Sequence, residues 1–155
     1  MKFRERAILF AATGGYIGNV PFAPGTFGSL IGLPVCFLLS RLNFLLAVVW
    51  ILIFILFAIA IASAAEKILK QQDPGQIVID EMAGLAVAFA GLPFNFKTVL
   101  AGFVIFRAFD ILKPFPIRVL EKKIRSGAGV VLDDVLAGVY ANLAVRLVFY
   151  ITGIA

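Results

Sequence analysis

Between residues 42 and 65 the chain runs for more than twenty positions without one charged side chain, through Phe44, Trp50, Phe54 and Ile59. A helix rises 1.5 Å per residue, so about twenty such residues cover the roughly 30 Å of hydrocarbon in a bilayer. The segment could be the core helix of a soluble protein only if the rest of the chain could enclose it. Composition excludes that. Of 155 residues, 62% are hydrophobic and 15% charged, against about 45–50% and 25% in a soluble domain. A chain of this length lacks the interior volume to hide so many apolar side chains, so much of its apolar surface must face lipid.

Further apolar segments surround this one. Residues 26–40 form a slightly short span with Pro34 inside it, which predicts a kink. Residues 77–92 and 97–112 read as two short antiparallel helices broken at Pro93-Phe94-Asn95-Phe96-Lys97, and 135–151 as a last span in which Arg146 must snorkel or find a partner. The expectation is an all-α, multi-pass integral membrane bundle, one domain over 1–155. It has about four to five short membrane helices, one or two of them half-crossing, and a re-entrant or interfacial N-terminal segment. Phe3, Ala7 and Phe10 at helical spacing beside Lys2, Arg4 and Arg6 suit an interfacial anchor, and the 7–12 stretch, interrupted by Gly14-Gly15, does not read as a signal peptide.

Fourteen Lys and Arg against nine Asp and Glu leave a net charge of +5. No basic run with interleaved aromatics appears, so nucleic acid is not the expected partner, whereas anionic lipid is. Lys67 and Lys70 lie in the connection 66–76, and Lys113, Arg118, Lys122, Lys123 and Arg125 in 113–134. The opposite loops carry only Arg41 and Lys97, and the excess of cations puts the two basic connections in the cytoplasm. Cys36 stands alone in an apolar run and reads as a packing residue. The absence of histidine removes the commonest general base and zinc ligand, leaving catalysis to carboxylates, hydroxyls or lysines.

Glu5, Glu66, Asp73 and Glu121 lie in hydrophilic stretches and need only be solvated. Asp80-Glu81, Asp110 and Asp133-Asp134 do not fit that description, because each lies where an apolar helix meets the surface and a buried carboxylate is costly without a compensating cation or donor. The topology brings all three to one face. Crowded carboxylates share protons or bind divalent cations, and an all-oxygen donor set favours Mg²⁺, Mn²⁺ or Ca²⁺, with Mg²⁺ the default. Gly84 and Gly138 share helix faces with these acids and would let helices approach closely enough to unite them. The competing reading is that Asp80 and Asp133 cap helix N-termini. The segments Ile77-Val78-Ile79-Asp80-Glu81-Met82-Ala83-Gly84 and Val130-Val131-Leu132-Asp133-Asp134-Val135-Leu136-Ala137-Gly138 also echo one another, as an internal repeat or by chance.

Arg107, Asp110 and Lys113 recur at i, i+3 and i+6 on a helix face that Pro114 terminates. Arg and Lys hold phosphate in complementary ways, by a planar fork and by a point charge. The alternative is an internal Arg107–Asp110 ion pair with Lys113 as a topological anchor. The Gly-Thr turn at Gly25-Thr26, opening a span, offers backbone N–H groups and hydroxyls to an anion, although Thr26 is equally a good N-cap.

In order and spacing, four motifs resemble the bacterial phosphatidylglycerophosphatase A family: Pro24-Gly25-Thr26-Phe27-Gly28-Ser29-Leu30, Asp80-Glu81-Met82-Ala83-Gly84, Phe106-Arg107-Ala108-Phe109-Asp110-Ile111-Leu112-Lys113-Pro114-Phe115-Pro116-Ile117 and Asp133-Asp134-Val135-Leu136-Ala137-Gly138. The resemblance covers about 14–140. It implies a Mg²⁺-dependent lipid phosphatase of the bacterial inner membrane, its site facing the cytoplasm, that removes the terminal phosphate of phosphatidylglycerophosphate to leave phosphatidylglycerol. In that reading Asp80, Glu81, Asp133 and Asp134 hold the metal, and Thr26, Ser29, Arg107 and Lys113 bind the substrate phosphate. Asp110 is a further ligand, the base that activates water, or a nucleophile. Metal number, selectivity against phosphatidic acid and oligomeric state stay open. The alternatives are a carboxylate-lined transporter of cations or protons, disfavoured because the acids cluster at one surface, and a noncatalytic membrane subunit.

Overall fold

A computed structural model describes residues 2–124 and 126–153, except the side chains of Glu121 and Lys122; these two and Arg125, which entered the charge count above, lie outside the described set. Regular structure among the described residues consists of helices, with no strand. They are α1 (Phe3–Ala12), a 3₁₀ turn (Ile17–Asn19), α2 (Pro24–Ser40), α3 (Phe44–Leu69), α4 (Ile79–Ala88), α5 (Phe96–Leu112), α6 (Ile117–Lys123) and α7 (Gly127–Thr152).

The long helices form where apolar runs begin at a capping amide. Asn43 Oδ1 accepts the N–H of Leu46 and opens α3, and Asn95 Oδ1 accepts that of Thr98 and opens α5, each satisfying a donor that the first turn cannot. α3 and α7, at 26 residues each, are long and apolar enough to cross a membrane. Only 17% of the most apolar stretch of α3 is buried; Leu45, Trp50, Leu52, Leu56 and Phe57 all face outward. A soluble core helix would bury those side chains, and an apolar face left open on this scale suits a lipid environment.

Several boundaries differ from the sequence reading. α2 starts at Pro24, with Ala23 in the left-handed region (φ 47°) at the cap position, so Thr26 is a first-turn residue and does not cap the helix; α2 continues through Pro34 to Ser40. α4 is ten residues long, not the sixteen of 77–92, and spans about 15 Å. α7 starts at Gly127, eight residues before the expected 135, which places Asp133-Asp134 inside a helix and excludes Asp133 as an N-cap. Asp80 lies in the first turn of α4, but Val78 holds the cap position and no side chain caps it. α6, in the basic connection, was not expected.

Because α4 ends early, its last carbonyls need donors. Asn142 Nδ2 reaches Ala88 O and Ala90 O at 2.9 and 3.0 Å, and Arg146 Nη2 reaches Ala90 O and Gly91 O at 2.9 and 3.2 Å. Arg146 Nε in turn donates to Asn142 Oδ1 at 2.8 Å. The lone cation of the last span thus finds its partners in backbone oxygens of the turn that follows α4.

Two apolar clusters fill the bundle. One joins Ala58, Ala62 and Ala65 of α3 to Ile77, Ile79 and Val131; the other joins Cys36 to Leu85, Phe89, Phe106, Ala137 and Ala141. The first lies beside the C-terminal part of α3 and the starts of α4 and α7, so these three ends, with the N-terminus of α2 and the C-terminus of α5, meet at one end of the molecule. α1 packs against α3, its last carbonyl accepting the N–H of Val78 at 2.9 Å, while Phe3 and Phe10 remain exposed.

Candidate active site

The acids meet because glycine lets α4 and α7 touch backbone to backbone. A Cβ on Gly84 would stand 2.5 Å from the Asp134 carbonyl oxygen, and one on Gly138 would collide with Gly84 O. The two helices run in the same direction, since Gly84 faces Asp134 and Gly138 while Ala88 and Ala90, further along, face Asn142. The two segments that echo one another in sequence therefore lie side by side.

That contact gathers one carboxylate oxygen from each of Asp80, Glu81 and Asp134 within 4.8 Å of one another. Asp80 and Asp134 are 6% and 4% exposed. Asp80 Oδ1 and Glu81 Oε2 are buried without a hydrogen-bond partner. A carboxylate oxygen can only accept, and a buried anion without donor or cation is strongly disfavoured. Three carboxylates together, two of them with an oxygen left open, fit a hard divalent cation of the Mg²⁺, Mn²⁺ or Ca²⁺ type.

Asp133 does not join this triad. Its Oδ2 pairs with Lys113 Nζ at 2.5 Å, and its Oδ1 accepts the N–H of Asp134 at 3.0 Å. Position on α7 explains the difference: consecutive helical residues point about 100° apart, so Asp134 faces α4 while Asp133 faces the chain that follows α5. Lys113 sits just past the end of α5 in a left-handed conformation (φ 42°).

Arg107 forms the ion pair with Asp110 that the i, i+3 spacing allows, Nη1 to Oδ2 at 2.5 Å. The pair is not isolated from the acids, for Asp110 repels Glu81 and Asp134 while Arg107 attracts Glu81. Arg107 also reaches α2: Nη1 lies 3.5 Å from Ser29 Oγ, a fully buried hydroxyl that donates to Gly25 O at 2.8 Å. Ser29 thereby links the guanidinium to the first turn of α2. The sequence missed the role of Gly25. A side chain there would collide with Glu81 Oε1 and come within 3.1–3.2 Å of both terminal nitrogens of Arg107, so it would push the carboxylate and the guanidinium from the places they hold against α2. Thr26 is half-buried one residue further on, and its N–H bonds to Ala23 O; among the described residues no hydrogen bond joins its hydroxyl to the acids. Asn142 was also missed, although its i, i+4 spacing from Arg146 was visible.

Four helices thus deliver a cation-seeking carboxylate triad flanked by a guanidinium on one side and an ammonium on the other, an arrangement suited to a phosphate bound through a metal. A family model described as phosphatidylglycerophosphatase A matches residues 10–149. Phosphatidylglycerophosphatase A of Haemophilus influenzae is 37% identical over 141 residues, covering 90% of this chain and 86% of the relative. The Escherichia coli K12 protein of the same name is 36% identical over 129 residues, covering 83% and 75%. A Bacteroides thetaiotaomicron protein with the provisional name phosphatidylinositol-3-phosphatase is 36% identical over 148 residues, covering 91% and 92%. No solved structure matches the chain. The family match takes in Asp80, Glu81 and Asp134 together with Gly25, Ser29, Arg107 and Lys113 around them, and the chain belongs to the phosphatidylglycerophosphatase A family.

Proposed function

We propose that this protein hydrolyses the terminal phosphomonoester of phosphatidylglycerophosphate, releasing phosphate and leaving phosphatidylglycerol. The observation that carries the proposal is the buried triad of Asp80, Glu81 and Asp134 with two carboxylate oxygens left without donors. These three residues would hold Mg²⁺, which supplies charge neutralisation at the phosphoryl oxygens as negative charge builds there. Arg107, fixed by Asp110 and Ser29, presents its fork to the same group. Asp110, beside Glu81 and Asp134, takes the proton from an attacking water. Asp133 orients Lys113, whose ammonium binds the anionic headgroup next to the reacting phosphate. Ser29 serves by positioning Arg107, and Thr26 borders the same opening.

A headgroup phosphate lies at the membrane surface while its acyl chains stay in the bilayer, so the substrate need not leave the membrane. The arrangement that suits this chemistry has α2, α3, α5 and α7 crossing, α4 reaching halfway, and α1 at the interface with Lys2, Arg4 and Arg6 against anionic lipid. The site then faces the cytoplasm of a bacterial inner membrane. The test is phosphate release from phosphatidylglycerophosphate in detergent with Mg²⁺, with phosphatidylinositol 3-phosphate run alongside. Release that EDTA abolishes and Mg²⁺ restores supports the proposal; faster turnover of the inositol lipid, or cation flux into proteoliposomes without hydrolysis, refutes it.

A further inference from the structure

Beside the triad, on the far side of Asp133, the surface opens into a cleft of about 310 Å³ lined by Glu66, Gln72, Asp73, Ser126, Gly129 and Asp133. Three features define it chemically. Its inner wall is Asp133, which is 4% exposed and adjoins Asp134 of the triad through the hydrogen bond Asp134 N–H to Asp133 Oδ1. Its outer wall is held in shape, because Glu66 Oε1 accepts the N–H of Asp73 across the α3–α4 connection at 3.0 Å. Its floor is backbone: a side chain on Gly129 would collide with Ile124 O, so glycine keeps α7 against the end of α6.

The cleft is rich in acceptors, and two kinds of ligand use acceptors. A divalent cation needs oxygens that converge, and among the described residues only Asp80, Glu81 and Asp134 do so. The acids of the cleft are spread around a space many times the ~30 Å³ that one water occupies. A neutral polyol matches that spread, since each hydroxyl donates one hydrogen bond to a carboxylate or amide oxygen. Lys113, paired with Asp133 at the wall shared with the triad, offers the neighbouring phosphodiester a cation.

We propose that this cleft is the headgroup subsite, in which Glu66, Gln72 and Ser126 recognise the free hydroxyl of a glycerol unit linked to the phosphate undergoing hydrolysis. The inference rests on the phosphatase reading and adds to it the source of selectivity: a lipid phosphate without a polyol forgoes the hydrogen bonds these groups offer and is the poorer substrate. It assigns a function to Glu66, which the sequence alone reads as a solvated surface acid.

The experiment compares wild type with Glu66→Gln, Gln72→Ala and Ser126→Ala in detergent with Mg²⁺, after a melting measurement confirms each fold. Dioleoyl phosphatidylglycerophosphate and dioleoyl phosphatidic acid are the paired substrates. A hydrogen bond to a charged acceptor is worth roughly tenfold to a hundredfold, so Glu66→Gln should lower kcat/KM on phosphatidylglycerophosphate by at least tenfold, mainly through KM, and change turnover of phosphatidic acid less than twofold. Inhibition by glycerol 3-phosphate relative to inorganic phosphate gives the same comparison if phosphatidic acid is not turned over, and its advantage should disappear in the variants. Equal losses on both substrates, or no loss on either, overturn the subsite. A wild-type protein that releases phosphate from neither lipid refutes the phosphatase reading instead.

Discussion

Replacing Gly84 with alanine tests whether the close crossing of α4 and α7 is what makes the metal site. The new Cβ would lie 2.5 Å from Asp134 O, 2.8 Å from Asp134 C and 2.9 Å from Asp134 Cβ, whereas ordinary contact begins at 3.4 Å. Two of these three atoms are backbone, so no side-chain rotation relieves the clash. The helices must separate by about 0.9 Å at this point, the shortfall between 2.5 and 3.4 Å. Asp80 and Glu81 lie one turn away on the same helix and move with it, away from Asp134. Overpacking of this kind costs roughly 1–3 kcal/mol, against about 1 kcal/mol that alanine gains over glycine in a helix. The net effect on folding is therefore small to moderate. The effect on the site is larger, since a misplacement of about 1 Å can cost a hundredfold in rate. The expected result is a modest fall in melting temperature, a rise in the Mg²⁺ concentration needed for half-maximal activity, and a kcat lower by about two orders of magnitude. Gly75, where an added Cβ meets nothing within 4 Å, is the control, and Gly75→Ala should leave both properties unchanged. Wild-type activity and Mg²⁺ dependence in a folded Gly84→Ala protein would refute the argument that the crossing distance sets the site.

Other expectations follow from the same geometry. Asp134→Asn should remove nearly all Mg²⁺-dependent phosphate release, while Asp133→Asn, which loses only the charge opposite Lys113, should retain measurable kcat with a raised KM; equal losses would return Asp133 to the metal set. Arg107→Lys keeps a cation but loses the planar fork that could meet a phosphate while one nitrogen, Nη1, contacts both Asp110 and Ser29, so kcat should fall at least tenfold. Asn142→Leu strands the carbonyl of Ala88 and should cost roughly 1–3 kcal/mol, read as a lower melting temperature in detergent with little change in KM.

The parts of this fold that the sequence declared are those that local chemistry determines. α3 was legible because more than twenty residues pass without a charge and α5 because the break at Pro93-Phe94-Asn95-Phe96-Lys97 sets its start, and the union of the acids was legible because Gly84 and Gly138 share faces with them. The start of α7 was not, since Ser126-Gly127-Ala128-Gly129 reads as a loop by helix propensity. Close packing overrides propensity there: Gly127 lies against the Ser63 backbone and Gly129 against Ile124 O. α6 was hidden because its basic residues read as a connection that only the positive-inside rule explained. The division of labour between Asp133 and Asp134 was equally hidden, because adjacent acids look alike until the helix phase at that point is known. Ser29 was assigned to phosphate, but a hydroxyl that donates to Gly25 O and accepts from Arg107 is already engaged.

The short helix α4 carries one further consequence. Its peptide dipoles place positive potential at the N-terminus and negative potential at the C-terminus, and such ends stabilise opposite charges by about 0.3–1 kcal/mol, rising to roughly 2 kcal/mol where burial excludes solvent. Asp80 and Glu81 occupy the positive end, and Arg146 lies on the carbonyls at the negative end. The helix is therefore electrically complemented at both termini, so its direction is fixed by charge as well as by packing. Asp134, in the interior of α7, receives no such help from its own helix, so of the three triad carboxylates it is the one that no helix terminus stabilises.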